Sequence, residues 1–176
     1  NFRKVKRVED VVRMFELVVK KIPSKLLLVG DGPERMGLEM LCRELAICDQ
    51  VRFLGKQDAI EDLLAISDAF VLPSETESFG LAALEAMACE VPVISSNAGG
   101  IPEINVHGTT GYMSAVGDFK DMAQNTITLL ENEARLLQFK ANAYAHAQTF
   151  AIENILPLYE RYYEKVFKSK EVEFVI

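Results

Sequence analysis

The sequence predicts an α/β domain built on a doubly wound parallel sheet, folded as a single lobe. Three observations carry this reading. Four short apolar runs, each about four residues long, lead into turn-forming residues, as expected of strands covered on both faces. Amphipathic helical patterns alternate with those runs, the rhythm of a parallel sheet with crossover helices. The 176 residues are 49% hydrophobic and 26% charged, with no repeat or low-complexity stretch, which suits one ordinary globular core.

Taken in order, the first helix is predicted over 8–22, where Val11, Val12, Phe15, Val18 and Val19 form one apolar stripe. A strand follows at 26–29, then a helix over 36–47 with Leu38, Leu41 and Leu45 on one side. Strands are predicted at 51–54, 69–72 and 93–95, with helices over 60–66 and 80–89 between them. Asp118 is a good N-cap for a helix over 119–130, and two more helices fill 131–149 and 152–168. In such sheets ligands bind beyond the carboxyl ends of the strands. Here those ends are the loops at 30–33, 55–58, 73–78 and 97–101.

Composition excludes several classes. Nineteen Lys and Arg against 26 Asp and Glu give a net charge of −7, a poor match for nucleic acid or an anionic membrane. No apolar run approaches the ~18 residues of a membrane-spanning helix, so no integral membrane segment is expected. Three cysteines (Cys42, Cys48 and Cys89) with no CxxC, and only two histidines, argue against a disulfide framework and against zinc. They read as small buried apolar residues in a reducing, cytoplasmic setting. The chain opens Asn1, Phe2, Arg3, without methionine, and is read as a piece of something longer.

The third strand end carries the richest chemistry. The segment PSETESFG over 73–80 runs straight from a strand into a helix. Unsatisfied amides at a helix start, with the positive end of its dipole, form an anion site. Phe79, Gly80 and Leu81 would offer their amides to a phosphate, with Gly80 allowing close approach. Glu77 and Glu85 bracket the spot. Carboxylates repel phosphate, so their natural partners are the vicinal hydroxyls of sugars. Eight residues at ~1.5 Å each set them on the order of 10 Å apart. That exceeds the ~5–5.5 Å of a retaining glycosidase pair and lies at or beyond the ~6.5–9.5 Å of an inverting one. A longer ligand with hydroxyls at both ends and phosphates between, such as a nucleotide diphosphate sugar, fits better. The competing reading makes Glu77 a helix cap and Glu85 a solvated charge, and spacing leaves both readings open.

Other candidates are weaker. GDGPERMG over 30–37 resembles a dinucleotide fingerprint, but Arg35 stands at its third glycine and no acid ends the next strand. A tight strand-to-helix turn explains it better. Arg3, Lys4, Lys6 and Arg7 form a basic cluster in an acidic chain. One could neutralise a diphosphate, although solvation is the commoner fate of such a cluster. His107 and His146 lack metal-spaced partners. Tyr159, Tyr162, Tyr163 and Phe167 on the last helix read as core or interface rather than as a platform for bases.

At ESFGLAALEAMACEVPVI over 77–94 the sequence resembles the E-x7-E signature of the family-four retaining glycosyltransferases, which have the two-lobed, Rossmann-like GT-B fold. The likeness extends through LLVGDGPE (27–34), VRFLG (51–55), AFVLPS (69–74), GGIPE (99–103) and GY (111–112). Within that family, NFRKVKRV over 1–8 most resembles the enzymes that join N-acetylglucosamine to L-malate in bacillithiol synthesis. The resemblance implies that Glu85 holds the ribose hydroxyls. It implies that Glu77, with the Ser78–Leu81 backbone (Ser78, Phe79, Gly80, Leu81), holds donor sugar and diphosphate. Lys6 matches the lysine that stabilises the leaving diphosphate, and the backbone near Gln57 would meet the uracil. The family arginine five residues before that lysine is Asn1 here, and Arg3 is the candidate substitute.

The resemblance further implies UDP-N-acetylglucosamine as donor substrate, no cofactor and no required metal, and retention by front-face attack. The whole chain, 1–176 with its C-terminal helices from about 119, would be the donor lobe. No residues resemble an N-terminal acceptor lobe, which is the implied partner, and a homo-oligomer is left open. Such a lobe alone is expected to bind donor without turnover. Two competing functions remain: a nucleotide-sugar epimerase lobe and a non-catalytic nucleotide-binding module. Pairing of Lys6 with Glu77 across one cleft would argue against the latter.

Overall fold

The computed structural model describes residues 1–171, with side chains to 168. Its five strands are β1 (Leu26–Val29), β2 (Val51–Gly55), β3 (Phe70–Leu72), β4 (Val93–Ser96) and β5 (Gly111–Ser114). Its helices are α1 (Val8–Val19), α2 (Arg35–Glu44), α3 (Ile60–Ala65), α4 (Leu81–Ala88), α5 (Ile101–Ile104), α6 (Phe119–Leu130), α7 (Glu133–Gln148) and α8 (Ile152–Glu171). All ladders are parallel. They divide into two groups, β1 with β2 and β3-β4-β5, where one continuous sheet was expected.

Both faces of the strands are covered, as a doubly wound fold requires. All four residues of β4 are buried, and they alternate. Val93 joins a cluster with Ala83, Met87, Ile101, Ile104 and Ala143, whereas Ile94 joins one with Met14, Val18, Met122 and Leu129. Helices α4 and α5 therefore cover one face and α1 and α6 the other, while α7 contributes Ala143 to the first cluster and Phe139 to the second. The apolar stripe of α1 serves two groups of strands. Val11, Val12 and Phe15 pack with Leu28 of β1, while Met14 and Val18 pack with Ile94.

Strand β5 was not predicted, because GYMS over 111–114 is not an apolar run. The reason for glycine is packing. Gly111 pairs with Val93, and a Cβ there would lie 1.8 Å from the Val93 carbonyl oxygen. Two caps set helix starts. Asp118 accepts from the Asp121 amide at 3.0 Å, as predicted, and Asn132 accepts from the Arg135 amide at 2.9 Å, which starts α7 at Glu133.

Two expectations are corrected. Tyr159, Tyr162, Tyr163 and Phe167, read as core or interface, are 58%, 64%, 67% and 67% exposed, which excludes the core half of that reading. The cysteines are free but not uniformly buried: Cys42 is buried, Cys89 half-buried and Cys48 exposed. Burial, followed by the charges of Cys48 and Glu39, pushes the Cys42 thiol up to about 11. The thiolate is the reactive form. At pH 8, Cys48 is therefore expected to react first with a thiol reagent, and Cys42 only on unfolding. Peptide mapping after brief labelling checks this, and early labelling of Cys42 would contradict it.

Candidate functional site

Residues 1–7 bridge the carboxyl ends of β1 and β3. Phe2 is buried and meets Phe53 edge-on at 6.4 Å. Its amide donates to the Asp31 carbonyl at 2.9 Å, and its own carbonyl accepts from the Glu34 amide at 3.2 Å. The Lys4–Lys6 3-10 turn follows, tied to the far strand end where the Glu75 amide donates to the Val5 carbonyl at 2.9 Å. Arg7 closes the turn at φ 47°, ψ 40°, a left-handed conformation that costs a side-chain-bearing residue about 1–2 kcal/mol. It is held there by Nε donating to Asp10 Oδ2 at 2.6 Å. That bond, ahead of an opposing effect of burial and added attraction from Asp10, Glu75 and Glu9, raises the Arg7 guanidinium above its ordinary value.

This turn delivers Lys6 to the site. Lys6 Nζ donates to Glu77 Oε2 at 2.6 Å, across 71 residues of sequence. The pair is neither open nor sealed, with side chains 33% and 16% exposed. A cation and a carboxylate thus stand together at the end of β3, where the sequence placed only separate candidates.

The loop carrying Glu77 is fixed from below. Ser74 is fully buried, and its carbonyl accepts from Ser96 Oγ at 2.6 Å. Ser74 Oγ reaches Glu77 Oε2 at a long 3.4 Å. The Gly100 amide donates to the Glu77 carbonyl at 3.0 Å. Side chains beneath this loop have no room: a Cβ on Gly99 would lie 1.9 Å from the Glu77 oxygen, and one on Gly100 2.3 Å from the Ser78 oxygen. Gly99 and Gly100 were missed as contributors, although a Gly-Gly pair just after a buried strand is a signal of close backbone approach. Gly55 provides a control, being at φ +67° against +55° for Gly99 but with open space around it. Gly99→Ala is expected to lower Tm several degrees more than Gly55→Ala, since both carry left-handed strain and only one adds a backbone clash. Equal melting shifts would remove Gly99 from the support of Glu77.

Helix α4 begins at Leu81 with Gly80 at φ +94° as its N-cap residue. Gly80 is needed for that backbone turn rather than for open space, since it is buried over Ile101 and Ile104. The amides of Phe79, Gly80 and Leu81 have no acceptor among the described residues, and the first returning bonds come from Ala83 and Leu84 to the Gly80 carbonyl. These free donors lie at the N-terminal end of α4, two to four residues after Glu77 of the Lys6–Glu77 pair. Together they can hold an anion beside a group rich in hydroxyls.

The remaining candidates are placed as follows. Glu85 lies one turn beyond Leu81, exposed, and its carboxylate has no ion-pair or hydrogen-bond partner among the described residues. It edges an apolar groove of about 270 Å³ formed with Leu84, Ala88, Ala147 and Phe150. Phe79 meets Phe150 edge-on at 6.0 Å, a link from α7's end to the loop that the sequence did not reveal. Ser78 is exposed. Gln57 is also exposed, and its side chain is occupied locally, donating to the Leu54 carbonyl at 2.7 Å. Arg3 is not brought into the hydrogen-bonded set around Glu77. It lines a separate groove of about 330 Å³ between α1 and α2, with Lys4, Arg7 and Glu34.

Residues 1–146 match the family described as Glycosyl transferases group 1. The chain belongs to the group 1 glycosyltransferases. This glycosyltransferase chain is 49% identical over 171 residues to N-acetyl-alpha-D-glucosaminyl L-malate synthase of Bacillus anthracis, an alignment covering 96% of the chain and 45% of that relative. It therefore spans just under half the length of that curated protein. Its fold is shared with GT-B glycosyltransferases. The Anabaena protein HepE in complex with UDP and glucose superposes with a TM-score of 0.83 at 24% identity, over 96% of this chain and 46% of that one. The C-terminal domain of the group 1 family protein LpcC from Francisella tularensis gives a TM-score of 0.76 at 26% identity, over 84% and 80%. None of the described helices of this glycosyltransferase is long and apolar enough to cross a membrane.

Proposed function

We propose that this chain is the donor-binding lobe of a retaining glycosyltransferase, taking UDP-N-acetylglucosamine and passing the sugar to a small acceptor such as L-malate. The observation that carries the proposal is the Lys6–Glu77 pair at 2.6 Å beside the free amides that open α4. A module that only held a nucleotide would have no need of a cation and a carboxylate meeting where sugar and diphosphate join. The name of the Bacillus anthracis relative supports the choice of sugar and acceptor. The UDP and glucose in the HepE structure support a UDP-linked donor.

In this reading the α4 amides and Lys6 take the diphosphate, and Glu77 accepts from hydroxyls of the transferred sugar. Glu85 accepts from the ribose, and the backbone near Gln57 meets the uracil. Charge grows on the leaving diphosphate as the sugar bond breaks. Lys6 and the helix dipole stabilise that charge where it develops, so no metal is assigned to the step. The acceptor approaches the same face that the diphosphate leaves, and its proton passes to the departing phosphate. The acceptor comes from a second lobe, so these residues alone bind donor without turnover. Three free cysteines fit the reducing, cytoplasmic setting that belongs to this reading.

Calorimetry tests it directly. UDP added without magnesium is expected to release measurable heat on this chain, and Glu85→Ala to weaken binding roughly 5- to 150-fold, or about 1–3 kcal/mol. No heat at millimolar UDP, with the protein folded, would overturn the donor-lobe reading. Unchanged affinity in the variant would leave Glu85 a solvated surface charge.

A further inference from the structure

Among the described residues other than glycine, three hold a positive φ: Arg7 at 47°, Ala46 at 55° and Glu90 at 61°. Ala46 and Glu90 follow the ends of α2 and α4, where one left-handed residue is an ordinary way to close the last turn. Arg7 is different. It joins a three-residue turn to the first residue of a twelve-residue helix, so its dihedrals fix the angle between the two. Strain of this kind persists only where the surroundings hold it.

Both backbone groups of Arg7 are engaged. Its amide donates to the Lys4 carbonyl at 2.9 Å, closing the turn that carries Lys6. Its carbonyl accepts from the Asp10 amide at 2.9 Å, opening α1. Helix α1 cannot follow a change at Arg7, because Val11, Val12, Met14, Phe15 and Val18 are all buried in the core. The change would fall on the turn instead, where Lys6 is the adjacent residue. Before Lys6 the chain is tied at Phe2 and Val5, and after it the tie is Arg7. The Arg7 side chain secures that tie: Nε donates to Asp10 Oδ2 at 2.6 Å, and Asp10 is only 6% exposed. The guanidinium also lies against the loop after β5, where a Cβ on Gly117 would stand 2.9 Å from Arg7 Nη2. It is not in the hydrogen-bonded set around Glu77.

We propose that Arg7 is a positioning residue for sugar transfer: set between Asp10 and Gly117, it holds the left-handed turn that aims Lys6 at Glu77 and the leaving diphosphate. The proposal rests on the reading of Lys6 as the cation of the leaving group. Arg7 acts through Lys6 and touches neither sugar nor phosphate. Displacing a group that must meet developing charge by about 1 Å can cost roughly a hundredfold in rate. Glycine takes the left-handed conformation without strain and needs no clamp. Alanine bears the strain with nothing to hold it.

The test measures kcat and UDP affinity in a protein carrying both lobes, for Arg7→Ala, Arg7→Gly, Lys6→Ala and the double variant Lys6→Ala/Arg7→Ala. Arg7→Ala is expected to lower kcat roughly tenfold or more with UDP affinity kept within about threefold, and Arg7→Gly to recover most of that loss. In the Lys6→Ala background, Arg7→Ala is expected to change kcat by less than about twofold, because residues acting through one group are not additive. A full kcat in Arg7→Ala, a glycine variant no better than alanine, or losses that multiply in the double variant would each overturn the proposal. So would a matching loss of UDP affinity, which would make Arg7 a binding group. Should Arg7→Ala not fold, Asp10→Asn takes its place, keeping the volume while weakening the clamp, with the same split and the same non-additivity expected. An unchanged kcat in Lys6→Ala would overturn the reading of Lys6 along with the proposal. A loss in Lys6→Ala without one in Arg7→Ala would confine the failure to Arg7.

Discussion

Replacing Lys6 with alanine, in a protein carrying both donor and acceptor lobes, is expected to lower kcat at least a hundredfold while UDP affinity changes by less than about fivefold. The asymmetry follows from where Lys6 stands. Its ammonium bonds Glu77 Oε2 at 2.6 Å, at the junction assigned to sugar and diphosphate, whereas the ground-state phosphates also have the free amides of Phe79, Gly80 and Leu81. Only the charge that develops as the sugar departs lacks another cation in the hydrogen-bonded set. Removing one such preorganised donor typically costs 10²–10³ in rate, and a hundredfold corresponds to ~2.7 kcal/mol. Thermal unfolding of the same variant checks that the fold tolerates the change, since Glu77, only 16% exposed, loses its ion-pair partner. Steady-state kinetics with calorimetry on the same preparation separates the effects. An unchanged kcat would remove Lys6 from the mechanism. A parallel loss of UDP binding would make it a binding group instead.

Asn105→Leu is expected to cost on the order of 4 kcal/mol of stability, lowering Tm by roughly 10–15 °C. Asn105 is fully buried. Its Nδ2 donates to the Val93 carbonyl at 3.1 Å, to Ser95 Oγ at 2.8 Å and to the Tyr112 carbonyl at 3.3 Å. Its Oδ1 accepts from Thr110 Oγ1 at 3.1 Å, and that oxygen in turn accepts from the Val106 amide at 2.8 Å. Leucine matches the volume but strands these partners out of reach of water, and each stranded group costs about 1–3 kcal/mol. The exposed Arg13–Glu9 pair makes the contrast: its bonds are as short as 2.6 Å, yet Arg13→Ala should cost no more than about 1 kcal/mol. Thermal unfolding of both variants decides the comparison. A drop for Asn105→Leu no larger than that for Arg13→Ala would show that the network contributes no net stability.

Much of the fold was legible because local signals and burial agree. Leu26–Val29 is apolar and bounded by turn residues, with Leu28 buried and its neighbours half-buried, so its run of leucines could only be a strand or a short core helix, and length decides between them. Asp118 capped the predicted helix because its short carboxylate reaches the Asp121 amide without help from anything distant. Where the reason for a residue lay across the fold, the reading failed. The strand at Gly111 was missed because the carbonyl that forbids a side chain there belongs to Val93. The aromatic residues of α8 suggested core or interface and are exposed, since side-chain chemistry alone does not say which helix faces find a neighbour within the lobe.

The candidate site divides in the same way. The sequence by itself determined an α/β lobe, a strand end that runs directly into a helix, and Glu77 and Glu85 as carboxylates around that helix start. Those features depend on spacing within one segment, and a helix or strand fixes spacing locally. Only the tertiary structure decided that Lys6 reaches Glu77, that Arg3 does not join them, and that Gly99 and Gly100 back the loop. Lys6 and Glu77 are 71 residues apart, and what brings them together is the crossing of residues 1–7 between two strand ends. Such a crossing is set by packing and backbone hydrogen bonds among several elements at once, which no local pattern encodes.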